Sequence, residues 1–455
     1  MHDSTTTPCV LFPELFGRPL TATFDVPHAS SDGGAVLLKA ADRRLGLIPR
    51  LASALIDERQ PGKVRHALAD LLGQRIHGLA LGYDDANDAA RLADDPMHKL
   101  LLGRDPVTGE PLASQPTLSR FENDVTRGEL LAMSEALFET VLARHAKRRR
   151  KVRRITLDLD ITDDATHGAQ QLAFFNGFYG SWCYLPLLAF LTFDREPDQY
   201  LCAAALRPGN APTQAGALTL LKRIIGRLQS RLPQARILVR LDGGFAEPEL
   251  FEFLDAVDVD YVVAIARNKV LEREAELEML IARVLSEASG VTEHVYTDFH
   301  YAAGTWDRER RVVCKAEVVR HEGREPKLNA RFVVTNLADP PQTVYELYCQ
   351  RGDMENRLKE LHHGLELDRT SCSKFRANQF RVLLTLAAYI LFQELRRRAA
   401  TTVCAHAQVT TLRERLVKLA VWVERSARRI VLHLPLNFPW LSTWRHLACA
   451  VGARA

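Results

Sequence analysis

The chain has 455 residues, 47% apolar and 25% charged, with 60 Lys and Arg against 56 Asp and Glu. That length exceeds what one core organises and predicts two to four domains, while the apolar share excludes a disordered chain. The longest apolar runs, 183–193 and 382–392, are too short to span a bilayer, and residues 1–7 carry no basic signal-peptide start. Eight scattered cysteines without a CxxC pair argue against a zinc site or a disulfide framework and fit a reducing, cytoplasmic setting. The net charge of +4 says little, but basic clusters at 147–154, 396–398 and 425–429 suggest local contact with a polyanion.

The first third reads as helical, with apolar residues at helical spacing over 34–44, 64–80 and 128–144. The Asp-rich loop Gly82-Tyr-Asp-Asp-Ala-Asn-Asp88 lacks the register and closing Glu of a calcium loop, which makes it a helix cap. Ser114-Gln-Pro-Thr starts a further helix, a candidate for reading DNA or for plain scaffold. From residue 153 the period changes. Ile155, Leu157, Leu159 and Ile161 alternate with Thr156, Asp158, Asp160 and Thr162, which predicts a strand with both aspartates on one face.

Strands are predicted next over 183–193 and 200–206, a helix over 213–232, and a short strand over 237–241 ending at Asp242-Gly-Gly244. A helix over 247–257 and a strand over 260–266 follow. Three strands, helix, strand, helix, strand is the element order of the ribonuclease-H-like α/β fold. By analogy with that fold, the first strand lies beside the fourth, so Asp160 and Asp242 meet at the carboxyl ends where open α/β sheets place their sites. A helix over 271–288 and strand candidates at 291–296, 311–320 and 331–335 form a β-rich insertion. The chain closes with helices over 377–398 and 411–425 and a strand over 429–434. The expected divisions are an N-terminal helical DNA-binding domain (1–150), a ribonuclease-H-like mixed-sheet core in two parts (151–269 and 345–400), the insertion (270–344) and a C-terminal segment (401–455).

The segment from Tyr348 to His362 carries the third acid. Tyr348, Arg351, Glu355, Lys359 and His362 follow at steps of three or four, which on a helix keeps them on one face. A carboxylate beside cationic and phenolic groups suits phosphoryl transfer: carboxylates hold metal ions, and Arg and Lys grip phosphates. In the insertion, Trp306 precedes Arg308, Arg310 and Arg311, and an aromatic ring among cations suits stacking on an unpaired base.

These pieces together resemble the DDE transposases of bacterial insertion sequences, specifically the group numbered thirteen-eighty. The resemblance rests on Ser31-Asp-Gly-Gly34, Gly82 to Asp88, Leu112 to Asn123, Asp158-Leu-Asp-Ile-Thr162 with His167-Gly168, Arg240-Leu-Asp-Gly-Gly-Phe245, Phe332-Val-Val-Thr-Asn-Leu337, and Tyr348 through Asn378. It implies Asp160, Asp242 and Glu355 as catalytic acids and ligands of two magnesium ions, with manganese as a substitute. Asp158 is the rival of Asp160, whose Asp-x-Thr matches the family motif. Tyr348, Arg351 and Glu355 match a Tyr-x2-Arg-x3-Glu-x6-Lys signature; His362 replaces its last Lys, and Lys359 is a second candidate for that cation. The resemblance implies DNA contacts by Tyr348, Arg351, Lys359, His362 and Trp306, terminal inverted repeats and target DNA as partners, and cut-and-paste transposition through a hairpin intermediate. It also implies a homodimer in the DNA complex and a bacterial, nucleoid-associated location, without membrane attachment. A ribonuclease-H-fold nuclease and a domesticated DNA-binding protein without catalysis are the alternatives.

Overall fold

A computed structural model of the chain describes residues 9–12, 17–146 and 151–454. The basic cluster at 147–154 and the polar residues 1–7 therefore lie partly or wholly outside the described residues. The chain forms two compact units: Met1–Arg44, Arg59–Ser119 and Glu394–Ala455 make one, and Leu45–Glu58 with Arg120–Gln393 makes the other. Among the described residues, no helix is long and apolar enough to cross a membrane.

The second unit is built on an eight-stranded mixed sheet. Its strands in chain order are β1 (Arg154–Ile161), β2 (Leu187–Phe193), β3 (Tyr200–Ala205), β4 (Arg236–Leu241), β5 (Asp260–Ile265), β6 (Glu293–Tyr301), β7 (Arg310–Val319) and β8 (Lys327–Thr335). Their order across the sheet is β6-β7-β8-β5-β4-β1-β2-β3. β4 runs parallel to both β1 and β5, and the remaining pairs are antiparallel. The strands of the expected β-rich insertion lie in this sheet. Val333 and Val334 of β8 pair with Ala264 and Val263 of β5, so its three strands extend the main sheet.

Helices cover this sheet with apolar faces. They are α1 (Arg127–Ala146), α2 (Ala217–Arg231), α3 (Pro248–Ala256), α4 (Pro341–Cys349), α5 (Asp353–Leu365) and α6 (Phe375–Arg398). α1 packs on the sheet through His145, whose ring stacks on Phe193 at 3.7 Å. α2 buries Leu221, Ile224, Ile225 and Leu228, the i, i+3, i+4, i+7 stripe of an amphipathic helix. Val344 and Tyr345 of α4 close a core with Leu238, Val262, Val313 and Val333, one or more from each of β4, β5, β7 and β8. Burial of such side chains is worth about 1.5–3 kcal/mol each, which fixes α4, and the segment after it, to the sheet.

In the first unit, Asp32 of the Ser31-Asp-Gly-Gly34 motif is fully buried. Its carboxylate accepts from Tyr83 Oη at 2.9 Å, lies 3.0 Å from His98 Nε2 and pairs with Lys418 Nζ at 2.8 Å. A Cβ on Gly34 would lie 1.9 Å from the Leu416 carbonyl oxygen, so only glycine admits that approach. This motif therefore builds structure. The Asp-rich loop is a cap as expected: Asp85 accepts from the backbone amides of Asn87 and Asp88.

Two expected elements and one expected boundary differ. The helix expected over 411–425 is a short helix at Val409–Leu412, a π-turn at Arg413–Val417 and a strand at Val421–Arg425. That strand pairs with Ile430–His433 and with Ala29–Ser30, and this long-range pairing overrides local helical spacing. It also places residues 401–455 in one unit with the N-terminal residues, while α1 joins the sheet unit, so the expected boundary at 150 is not where the units divide. The single strand expected over 183–193 is broken at Leu185-Pro186. Ser181–Tyr184 belongs instead to a separate three-stranded sheet with Asp164–Ala165 and Phe174–Asn176.

Candidate active site

Parallel pairing of β1 with β4 sets Asp158 in register with Arg240, and carries Asp160 and Asp242 to the same end of the two strands. Asp242 ends β4 and caps the following turn, accepting from Gly244 N at 3.0 Å. A Cβ on Gly244 would come within 2.5 Å of the Thr213 side chain, so glycine is required beside this acid. Asp160 accepts from Ile161 N at 2.9 Å.

Arg351 connects the two acids. Its Nη2 lies 3.0 Å from Asp160 Oδ2 and 3.8 Å from Asp242 Oδ2, and donates to the Leu159 carbonyl at 3.4 Å. Both Asp160 and Arg351 are only 14% exposed at the side chain. Burial pushes the Asp160 carboxyl up, Arg351 draws it down and the neighbouring Asp242 charge pushes it up again; it stands at about 6. Two carboxylates therefore converge on one position held by a cationic nitrogen. Hard oxygen donors around a cation position are what a magnesium-type ion uses, so the pair fits a divalent metal. The fit is incomplete for a trio: among the described residues, no three His, Cys, Asp or Glu are gathered as a metal cluster. Glu355 is exposed in the first turn of α5.

The segment around Glu355 is not one continuous helical stripe. α4 ends at Cys349, a 3-10 turn occupies Gln350–Gly352, and α5 begins at Asp353. The tighter turn changes the angular phase. Arg351 points inward to the acids, whereas Glu355 and Lys359 are exposed. Tyr348 is half-buried against Tyr345, with ring centroids 6.1 Å apart. Burial and Asp242 raise its phenol above the ordinary value against the pull of Arg351. His362 lies 2.7 Å from Thr162 Oγ1 through Nε2 and 3.5 Å from Asp368 through Nδ1. Burial disfavours its charged form, but Asp368, Asp163 and Asp164 outweigh burial and raise its pKa. The structure thus engages His362 inside the protein.

Asp158 is fully buried and grips Arg240 with both oxygens, each at 2.8 Å, while Gln199 Nε2 donates to it at 3.4 Å. It is therefore part of the core beneath the acid pair. Trp306 is not brought near the acids. It packs against Phe251 and Tyr301 at 5.3 and 5.5 Å and beneath Arg310. The β6–β7 turn that carries it lies beyond the level of Val262, through Arg311↔Thr335↔Val262, whereas Asp242 follows Leu241, which pairs with Val263. Trp306 therefore sits toward the opposite end of the sheet, packed among protein partners.

Arg240 carries a role that sequence reasoning missed. Besides Asp158, it donates from Nη1 to the Leu347 carbonyl of α4 at 2.9 Å, tying the segment that leads to Arg351 onto the sheet. The signal was available: Arg240 alternates with Leu241 and shares a face with Asp242, as Asp158 does with Asp160. A second anchor is Glu360, which accepts from Tyr389 Oη at 2.7 Å and pairs with Arg357 at 2.9 Å, fixing α5.

A central mixed sheet with two acids converging on one cation position at adjacent strand ends is architecture suited to phosphoryl transfer. The family model described as Transposase DDE domain group 1 matches residues 12–452. The chain belongs to this family of DDE transposases, enzymes that act on DNA and generally use divalent metal ions. A solved structure described as a cryo-EM structure of piggyBac transposase synaptic complex with hairpin DNA is similar over 79% of this chain and 74% of that one, at 11% identity and a TM-score of 0.38. Comparison with curated proteins gives no match.

Proposed function

We propose that this chain is the transposase of a bacterial insertion sequence of the thirteen-eighty group, and that it binds terminal inverted repeats and moves its element by cutting and pasting. The observation that carries this reading is the convergence of Asp160 and Asp242 on the single cation position taken by Arg351. The strand order β3-β2-β1-β4-β5, with β2 and β3 antiparallel, supports a ribonuclease-H-like core. Asp160 and Asp242, with Glu355 as the third acid, are the residues that would hold two magnesium ions, or manganese in their place. When bound, the ions supply charge neutralisation at the reacting phosphate and activation of the attacking oxygen.

The chain's own residues do the remaining work. Asp160 has to ionise, which the neighbouring Asp242 and its own burial oppose and a cation favours. Glu355, exposed on α5, would supply the third acid from that helix. Arg351, once released from the acids, presents a planar fork for a phosphate next to the scissile bond, and Lys359 adds a point charge one turn beyond Glu355. Water nicks each end to free its 3′-hydroxyl, which attacks the opposite strand's phosphodiester and displaces the flanking DNA's 3′-oxygen to leave a hairpin; water reopens the hairpin, and the freed 3′-hydroxyl attacks a target phosphodiester, displacing a target 3′-oxygen. Two ends need two such sites, hence a homodimer on DNA, at work with the nucleoid in the cytoplasm.

The test is cleavage of an end-bearing duplex in magnesium by Asp242→Ala. Cutting is expected to fall to background, since the metal-held charge contributes several kcal/mol at the transition state. Binding to the same duplex is expected to persist, because affinity comes mainly from cationic contacts to phosphates. Cutting at near the wild-type rate overturns the assignment.

A further inference from the structure

The chain running from β1 to β2 builds the small three-stranded sheet of Asp164–Ala165, Ser181–Tyr184 and Phe174–Asn176. Its side chains are unusual for a surface. Phe174, Phe175, Phe178 and Trp182 are 38, 56, 90 and 59% exposed. The other exposed large aromatics among the described residues are Phe24 and Trp422 alone. An exposed apolar cluster of this density marks a contact site. Phe175 and Trp182 are cross-strand partners with rings 6.4 Å apart, and Phe178 stands at the turn against Tyr179 at 5.0 Å.

The backbone beneath these rings is pinned. Asn176 Oδ1 accepts from the amides of Phe178 and Tyr179, and its Nδ2 donates to the Gly209 carbonyl at 2.9 Å. Thr166 donates twice to the Trp182 carbonyl, through its amide at 2.8 Å and its hydroxyl at 3.0 Å. Tyr184 Oη donates to the Gln171 carbonyl at 2.8 Å. The backbone that carries the rings is thus tied down by hydrogen bonds, as a pre-organised platform requires.

The platform adjoins the acids. Asp164 starts only four residues after Asp160. Burial, then the charges of Asp163 and Asp160, raise the Tyr179 phenol above its ordinary value. Cations flank the other side. Gln171 binds the Ser373–Phe375 backbone, and Lys374 and Arg376 are exposed there at the start of α6. Aromatic faces between a cationic edge and a phosphoryl-transfer site match the chemistry of unpaired nucleotides, whose bases stack while their phosphates seek positive charge.

Building on the transposase reading, we propose that the Phe174–Trp182 hairpin is a stacking platform for unpaired bases at the DNA end being processed, with Phe178 and Trp182 as its principal rings. The test uses the full chain in EDTA, so that cutting plays no part. Two fluorescent probes are titrated: a blunt mixed-sequence duplex, and the same duplex carrying an oligo-dT overhang. The wild type is expected to prefer the overhang. Phe178→Ala and Trp182→Ala are each expected to lose roughly 5- to 100-fold in affinity for the overhang probe, at unchanged affinity for the blunt one. Trp182→Phe keeps a ring and is expected to retain most of the preference. Phe178, almost wholly exposed, can be truncated without unfolding, and a melting curve checks each variant. Equal losses on both probes, no loss on either, or a wild-type dimer that Phe178→Ala turns to monomer with DNA binding intact would each overturn the platform; the last would make a second copy its occupant. Wild-type binding to neither probe would count against the transposase reading itself, whereas equal binding to both removes the platform alone.

Discussion

Replacing Arg240 with methionine removes the partner of a fully buried carboxylate. Asp158 and Arg240 are 0 and 4% exposed at the side chain and meet through two bonds of 2.8 Å. Methionine fills much of the volume but leaves Asp158 uncompensated, and breaking one side of such a pair costs about 3–5 kcal/mol. For a unit of this size that is a fall of roughly 6–20 °C in melting temperature. Burial already pushes the Asp158 carboxyl above its ordinary value against the pull of Arg240, and losing Arg240 raises it further. A raised folded-state pKa means that the folded form binds the extra proton, so stability is retained at low pH and lost as pH rises through that pKa. The defect is therefore largest at neutral pH and shrinks on acidification. Thermal melts at pH 5 and 7.5 test this, together with the double variant Asp158→Leu with Arg240→Met, which buries no charge and is expected to recover most of the loss. A pH-independent fall of under about 1 kcal/mol, within the range of an exposed pair, would refute the reasoning.

Two further outcomes follow from the same electrostatics. Asp160, held at about 6 by burial and Asp242, favours the folded state fully below its unfolded pKa and loses that contribution as pH rises through 6. In EDTA, Asp160→Asn is therefore expected to gain on the wild type by about 1–3 kcal/mol between pH 4 and 7; parallel melting profiles would refute it. Asp164 is buried, accepts from Thr370 Oγ1 with both oxygens at 2.9 and 2.8 Å, and is pushed up to about 8. Wild-type stability is expected to fall by roughly 1.4 kcal/mol per pH unit up to about pH 8, where the folded state still holds the Asp164 proton that the unfolded state has released, and to level off above it; Asp164→Asn removes that slope in melts from pH 6 to 9.

How much of this was legible in the sequence depends on the range of the interaction. Alternation over residues 155–162 located β1 and the shared face of Asp158 and Asp160, because strand periodicity is local. The apolar run ending at Asp242-Gly-Gly244 located β4 for the same reason. The small sheet was not legible: its central strand, Ser181–Tyr184, merges in sequence with the apolar run of β2. Only Pro186, which has no amide hydrogen for a ladder, marks the break. The strand Val421–Arg425 was hidden too: apolar residues at helical spacing masked it, and one of its two partners, Ala29–Ser30, lies almost a whole chain away.

At the site the division is sharper. Residue types and spacing sufficed to nominate Asp160, Asp242, Arg351 and Glu355, but not to say which way each points. Uninterrupted helical geometry puts Arg351 and Glu355 on one face, both toward a bound polyanion. The 3-10 turn at Gln350–Gly352 turns Arg351 onto the acids and leaves Glu355 outward. This is chemically sensible without DNA. Two neighbouring carboxylates repel, and Arg351 beside both of them relieves that repulsion. The rings of Phe175, Phe178 and Trp182 make the complementary point. In sequence they are indistinguishable from core aromatics, and only their exposure on a hydrogen-bonded backbone separates them from a core.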